Sequence, residues 1–256
     1  MRNGGIFSQL VLRAIRKDYL HNLTGFAWLV VQPLMLLAVY AFVFTNVFKG
    51  RTPGMDDGSF VAFLAVAFWP WTAFSDSVLK ASNSVVSNAP LIGKVAFSTE
   101  LLPLSVVTAT FIMHMGGYLA VLVVLQLTGT DIHWLGLIPS VLVLALLYLF
   151  ACALALMFGA LQVFVRDLGQ MLPPLMTLWF FMSPILYSPS LLPEGVAGVV
   201  RWNPVSWFVD FLRESLLAGG PVLGWWDALL PVGLILFSIV ALGFFRRMSG
   251  HFEDFL

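Results

Sequence analysis

Charged residues are scarce in this chain of 256 residues. Only 10% are Asp, Glu, Lys or Arg, while 60% are hydrophobic, whereas a soluble domain usually carries about 25% charged residues. The formal net charge is zero, so the chain lacks the basic field that nucleic-acid binding requires. Apolar runs of about 20 residues recur, and each is long enough to cross a bilayer. The composition predicts an all-α integral membrane protein.

Cysteine and histidine are also sparse. The single cysteine, Cys152, lies in an apolar run, which excludes an intrachain disulfide and a cysteine-based metal site. Of four scattered histidines, His114 alone falls in a predicted span, where a bond to a neighbouring helix is expected. Neither a zinc-protease motif nor a calcium-loop motif occurs. No metal site is predicted, and an intramembrane enzyme is only a weak alternative.

The chain lacks an energy source of its own. Residues 93–94 form the Gly-Lys pair of a phosphate-binding loop, but Asn88 stands at the upstream glycine position and Val95 at the Ser/Thr position. Asp76 is the one carboxylate in the predicted spans, toward the inner end of the second, where a hydrogen-bonded role in an interfacial turn is expected. Energy must therefore come from another polypeptide, and no cofactor is expected on this chain.

Six segments are predicted to span the membrane. They are residues 26–48, 60–79, 104–127, 135–165, 171–187 and 229–245. The fourth is long enough to tilt or protrude, and the fifth is short. Residues 6–22 have one apolar and one basic face, which predicts a helix lying in the lipid headgroup plane.

The distribution of basic residues predicts the orientation. Nine of the 13 Lys and Arg flank the side that carries the N-terminus, and four flank the other side. Because cytoplasmic flanks are enriched in Lys and Arg, both chain ends and the connection 87–103 are predicted to be cytoplasmic. The outer segment 188–227 holds two short apolar pieces, 194–202 and 205–218, which predict re-entrant or interfacial helices.

Aromatic residues make up 14% of the chain and cluster within the spans. Aromatic faces pack against the C–H faces of sugar rings, so a path that they line would let a polymer slide. The residues predicted to line such a path are Tyr40, Phe42, Phe68, Trp69, Trp71, Phe74, Trp179, Phe180 and Phe181. Ordinary helix packing is the alternative for each of them.

Three ordered motifs resemble those of one family. The segment "NAPLIGKVAFSTELLP" (88–103) resembles a cytoplasmic segment of that family, with Ser98 in place of its usual proline. "FFMSPILYS" (180–188) resembles its fifth span, and "NPVSWFVDFLRE" (203–214) its outer gate helices. Over essentially its whole length the chain resembles the permease subunits of bacterial ABC exporters for O-antigen, capsular and teichoic acid polymers.

The resemblance implies a homodimeric permease, in the bacterial inner membrane, that works with two copies of a separate ATPase carrying ATP and Mg²⁺. Lipid-linked glycan would pass between the two protomers. The residues expected to couple to the ATPase are Asn88, Leu91, Ile92, Lys94, Phe97 and Glu100. The residues expected to form the gate are Asn203, Pro204, Trp207, Arg213 and Glu214.

The expected cargo is an O-antigen-type polysaccharide. Capsular polysaccharide and teichoic acid are the alternatives within the same family. A permease of similar architecture that exports a small hydrophobic drug or lipid is a further alternative, and it would need a closed apolar pocket in place of a continuous aromatic-lined path.

Overall fold

A computed structural model describes residues 2–17, 25–43, 57–92, 97–220, 224 and 226–255. Within these ranges the chain consists of helices and turns, with no strand. The α-helices are α1 (Arg2–Ile15), α2 (Gly25–Phe42), α3 (Asp57–Ser82), α4 (Ser84–Ser87), α5 (Leu101–Leu127), α6 (Leu137–Phe164), α7 (Leu168–Met182), α8 (Glu194–Arg201), α9 (Pro204–Leu217) and α10 (Trp226–Ser249). The all-helical architecture predicted from composition is confirmed.

Four stretches in the described ranges are long and apolar enough to cross a bilayer. They are Phe60–Ser82, Leu101–Leu127, Trp134–Phe164 and Asp227–Ser249, which correspond to the predicted spans two, three, four and six. Helix α7 has 15 residues and extends about 22 Å, less than the roughly 30 Å of the hydrocarbon core. Helix α2 has 18 residues, and positions 44–48 of the first predicted span lie outside the described residues. The count of six spans therefore stays a prediction.

Helix α1 has the two faces that its sequence predicts. Val11 is buried, while Arg13, Arg16 and Lys17 are exposed. The helix packs against α5. Residues 18–22 of the predicted interface helix lie outside the described residues, and its position in the headgroup plane stays a prediction.

Helix α3 is the central helix of the bundle. It contacts α2, α5, α6, α7 and α9, and 78% of its most apolar 18-residue window is buried. Nearly all of its faces are covered by these helices, so even large side chains such as Trp69 and Phe74 are fully buried. We call the end of the bundle that carries α8 and α9 the gate end, and the end that carries α4 the docking end, after the roles that the sequence predicts for residues 203–214 and 88–100.

At the gate end, a glycine allows α9 to approach the start of α6. A Cβ atom on Gly136 would overlap the backbone oxygen of Ser215, so no other residue fits there without displacement. Next to this contact, the His133 N–H donates to the Leu216 carbonyl at 3.0 Å. The C-terminal half of α9 is thereby held to the beginning of α6.

At the docking end, a small apolar cluster joins elements that are distant in sequence. We call it the inner cluster; its buried members are Val85, Leu156, Ala160, Val163, Phe245 and Phe252. They come from α4, α6, α10 and the last turn of the chain. Gln162 Nε2 also donates to Asn83 Oδ1 at 3.2 Å, so the ends of α3 and α6 are linked beside this cluster.

Candidate functional site: an outer helix pair, an aromatic cluster and a docking segment

Arg213 fastens α9 to two other elements. Its Nε donates to the Phe63 carbonyl in α3 at 3.1 Å, and its two terminal nitrogens donate to the carbonyls of Pro184 and Ile185, each at 2.7 Å. The guanidinium carbon also lies 3.3 Å from the centroid of the Phe63 ring. Arginine suits this position because its planar guanidinium carries five donors and no acceptor.

Arg213 is buried, whereas a charged residue at the flank of a membrane span is usually exposed to water. The side chain is 7% exposed, and burial lowers its pKa to about 9, so it remains protonated at neutral pH. The carbonyls of residues 184 and 185 lie just after the end of α7, where the helix no longer supplies N–H partners. The arginine supplies those partners and cross-links α3, α7 and α9.

Asn203 fixes the start of α9. Its Oδ1 accepts from the Val205 backbone N–H at 3.0 Å, which is an N-cap bond, and from Trp179 Nε1 at 2.9 Å. Its Nδ2 donates to Ser183 Oγ at 2.8 Å. Pro204 follows at the first helical position, where its missing N–H costs nothing. The junction between α8 and α9 is therefore bonded to the end of α7.

Trp207 and Glu214 complete the set of predicted gate residues. Trp207 Nε1 donates to Asp227 Oδ1 at 2.6 Å, which ties α9 to the start of α10. The Glu214 side chain is exposed, and its backbone carbonyl accepts from the N–H groups of Ala218 and Gly220. Asp227 was not identified from the sequence; its position at the first turn of an apolar helix is the signal that could have found it.

Asp210 in α9 is expected to make the stability of the fold depend on pH. Burial raises the pKa of its carboxyl from 3.8 to about 6, although the nearby Arg213 opposes the shift. The folded state therefore binds this proton more tightly than the unfolded state does, and the contribution of Asp210 to stability falls as pH rises from about 4 to about 6.

Asp210→Asn is therefore expected to raise stability at pH 7 by up to about 2 kcal/mol and to change it little at pH 4. Thermal unfolding of the purified protein in detergent, measured at both pH values, tests this. Glu253→Gln, a substitution of an exposed carboxylate at the docking end, is the control. Equal midpoints for Asp210→Asn and the unmodified protein at pH 7 would contradict the expectation.

The nine predicted path residues fall into three groups: an aromatic cluster, two exposed residues, and Trp69, whose Nε1 donates to the His114 carbonyl at 2.9 Å. Phe68, Trp71, Phe74, Trp179 and Phe180 form one aromatic cluster with Tyr40, with ring centroids between 5.6 and 6.1 Å apart. Phe42 and Phe181 are 61% and 54% exposed. The cluster joins α2, α3 and α7. It includes Trp179, whose indole N–H donates to Asn203 Oδ1.

Burial corrects the expectation for five of these residues. Phe68, Trp69, Trp71, Phe74 and Phe180 are each at most 7% exposed. They lie on the covered faces of α3 and α7, where packing an aromatic ring yields a large buried area. These five residues are therefore core residues, which agrees with the alternative of ordinary helix packing. None of them exposes enough side-chain surface to contact a ligand. Whether Tyr40, Phe42, Trp179 and Phe181 contact a substrate stays a prediction.

Part of the predicted coupling set is used within the chain. Asn88 Nδ2 donates to the Ser84 carbonyl at 2.8 Å and closes α4. Ile92 packs against the inner cluster. Glu100 Oε1 accepts from Arg246 Nη2 at 3.1 Å, which joins α5 to the end of α10. Leu91 and Phe97 are half-buried, and Lys94 lies outside the described residues.

The two ionisable groups singled out in the predicted spans meet. His114 Nε2 in α5 lies 3.2 Å from Asp76 Oδ2 in α3. The bond of His114 to a neighbouring helix is confirmed. The position of Asp76 in an interfacial turn is corrected, because the residue lies within α3, whose last residue is Ser82.

These features define the class of protein. The described residues form a helical bundle with several membrane-spanning lengths, and among them no group of three His, Cys, Asp or Glu side chains could hold a metal ion. Such a bundle is a multi-pass membrane protein.

The comparison with known families identifies which one. The profile of the ABC-2 type transporter family matches residues 7–217, and the chain belongs to this family of membrane transport subunits. It is similar to the O-antigen export system permease protein RfbA of Klebsiella pneumoniae, with 25% identity over 99% of this chain and 96% of the relative. It is also similar to the RfbA permease of Myxococcus xanthus, with 31% identity over 78% of this chain and 76% of the relative.

A third relative transports a different polymer. The polysialic acid transport protein KpsM of Escherichia coli is 25% identical to this chain, over 82% of the chain and 80% of the relative.

Proposed function

We propose that this protein is the permease subunit of an ATP-driven exporter that moves a lipid-linked O-antigen-type polysaccharide across the bacterial inner membrane. The observation that carries the proposal is similarity over nearly the whole chain to permeases named for O-antigen export. A second candidate cargo is a capsule-type polysaccharide, which the similarity to polysialic acid transport proteins supports.

The proposed assembly contains two copies of this chain. Helix α7 is too short to cross the bilayer unaided, and it still exposes large apolar side chains, including Leu175, Leu178 and Phe181. Covering such a face with protein avoids the thinning of lipid that a short helix requires. We place the exposed faces of α2 and α7 toward the second copy, with the glycan path between the copies.

The proposed motor is a separate cytoplasmic ATPase, two copies per assembly, docked on residues 87–103. The support for this site is geometric. The segment follows α4, which is anchored in the inner cluster through Val85, and Leu91 and Phe97 are not fully covered by the rest of the chain. In this orientation both chain ends are cytoplasmic.

Complementation tests the proposed function. In a strain that lacks this protein, surface polysaccharide should be absent while lipid-linked polysaccharide accumulates at the inner membrane, and the protein expressed with its ATPase should restore the surface polymer. The chemical composition of the accumulated polymer distinguishes O-antigen from capsule. Normal surface polysaccharide in the deletion strain would overturn the proposal.

Phe97→Asp is expected to uncouple the permease from the ATPase. A carboxylate at a half-buried aromatic position would have to be desolvated on docking, which costs several kcal/mol unless it is paired. We expect at least a tenfold loss of co-purified ATPase, with normal membrane levels of the permease. The adjacent Ser98→Asp adds the same charge at a polar side chain of the same segment and is the control. Equal ATPase recovery from both variants would refute docking through Phe97.

A further inference from the structure

The uncovered side chains in the C-terminal half of α3, together with Asn83 directly after it, form a polar stripe. Between residues 71 and 83 only six side chains are not buried, and they recur at the three- and four-residue spacing of one helix face. They are Thr72, Ser75, Asp76, Leu79, Lys80 and Asn83. We call this set the polar stripe. A span whose other faces are covered by protein thus exposes mainly hydroxyl, carboxyl, ammonium and amide groups.

The part of the stripe around Asp76 lies at the depth of the hydrocarbon core of the membrane. Asp76 meets His114, and His114 is the midpoint of α5 (Leu101–Leu127). Each half of α5 extends about 20 Å from that point, whereas half of the hydrocarbon core is about 15 Å thick. The Asp76 carboxyl is therefore well inside the membrane, and its side chain is nevertheless 46% exposed.

A half-exposed carboxyl at this depth is not packed against lipid tails. Facing an acidic side chain toward hydrocarbon costs at least a few kcal/mol, and a short Asp cannot extend its head to the interface. His114, which holds the carboxyl, is 1% exposed, and its Nδ1 is buried without a partner among the described residues. The stripe therefore faces water or a polar ligand.

The stripe offers the groups that bind hydroxyls. Thr72 donates its own proton to the Trp69 carbonyl at 2.7 Å, so its oxygen is left as an acceptor. Asp76 has one carboxyl oxygen beyond the one at His114, and Asn83, which accepts from Gln162 through Oδ1, keeps an amide NH₂ as donor. From Thr72 to Asn83 these groups extend over about 16 Å of helix, a length suited to a chain ligand.

We propose that the polar stripe of α3 is a glycan-binding surface in a hydrated path, where Asp76 accepts hydrogen bonds from sugar hydroxyls and His114 is the positioning residue for that carboxyl. The proposal rests on the proposed function and goes beyond it, because it assigns cargo contact to polar side chains of α3 in place of its aromatic ones. It also gives a use to the one carboxylate of the spans predicted from the sequence.

Thiol labelling tests the proposal. Cys152 is the only cysteine, so Ser75→Cys in a Cys152→Ala background gives a single reporter. Ile239→Cys, at a 64% exposed position on an apolar face of α10, is the lipid-facing control. In inside-out membrane vesicles with the ATPase present and no ATP, a charged, membrane-impermeant thiosulfonate should label Ser75→Cys at least tenfold faster than Ile239→Cys. Vesicles from a strain that makes the glycan should show at least threefold slower labelling of Ser75→Cys than vesicles from a strain that does not.

The same labelling assay tests the role of Asp76. Asp76→Leu in the Ser75→Cys background should keep the labelling and lose the protection by glycan, which a purely structural role would not produce. Thr72→Val, which removes a hydroxyl at nearly constant volume, should weaken the protection and serves as the second variant where Asp76→Leu does not accumulate in membranes.

The outcomes separate the two proposals. No labelling of Ser75→Cys would mean that lipid or a second copy of the chain covers the stripe, and it would overturn the inference. Labelling that glycan does not slow would leave a hydrated path without the binding surface, and would overturn it as well. Both results are compatible with restored surface polysaccharide in the complemented deletion strain, which is the separate test of the export function.

Discussion

Arg213→Met should lower the unfolding midpoint of the purified protein by about 6–12 °C. The substitution removes three hydrogen bonds from a charged donor and leaves buried carbonyls without partners, a loss of about 3 kcal/mol or more. For a chain of this size, each kcal/mol corresponds to about 2–4 °C. Because the same bonds hold α9 to α3, the variant should also export little or no polysaccharide.

The matched control for this substitution is Arg201→Met. Arg201 is an exposed residue in the last turn of α8, so its loss should change stability by no more than about 0.5 kcal/mol. Arg213→Lys adds a second comparison, since one ammonium group keeps the charge but cannot match the fixed fork of a guanidinium. An unfolding midpoint for Arg213→Met equal to that of Arg201→Met would show that α9 does not depend on these bonds.

Gly136→Ala should destabilise the protein nearly as much, for a steric reason. The added methyl group would overlap the Ser215 carbonyl oxygen, so α9 and the start of α6 must separate. Displacing packed backbone in this way costs about 1–3 kcal/mol and occasionally more, and the bond between His133 and Leu216 would be lost with it. We expect a midpoint lowered by roughly 2–12 °C.

The same glycine-to-alanine change at Gly233 should have the opposite effect on stability. A Cβ atom on Gly233 in α10 would have nothing within 4 Å of it, and alanine favours a helix interior over glycine by about 1 kcal/mol. Gly233→Ala should therefore be neutral or slightly stabilising. The contact between α9 and α6 would be contradicted by a Gly136→Ala variant as stable as Gly233→Ala.

Composition and periodicity were sufficient for the helical class and for the positions of most helices. The two short outer pieces were predicted at 194–202 and 205–218, and α8 and α9 lie within one residue of those bounds. These predictions succeed because breaks such as Asn203-Pro204 act locally, through an N-cap bond and a proline at the first helical position.

Partnerships across the bundle could not be predicted in the same way. Whether an aromatic residue on α3 is core or surface depends on which helices cover each face, and the sequence of α3 alone does not contain that information. The same holds for Arg213, which lies 150 positions from its partner Phe63 in the sequence. Asp76 likewise meets its partner His114 across 38 positions of sequence.

The burial of Phe252 links the last described turn of the chain to the helices around the inner cluster. Its ring lies 5.5 Å from that of Phe245 and 6.0 Å from that of Phe164, in the same cluster that holds Val85 of α4. In the proposed assembly, a force that the ATPase applies at residues 87–103 would reach the ends of α6 and α10 through the buried side chains of this cluster. A truncation before Phe252 would remove its ring from the cluster and should weaken the connection between α4, α6 and α10.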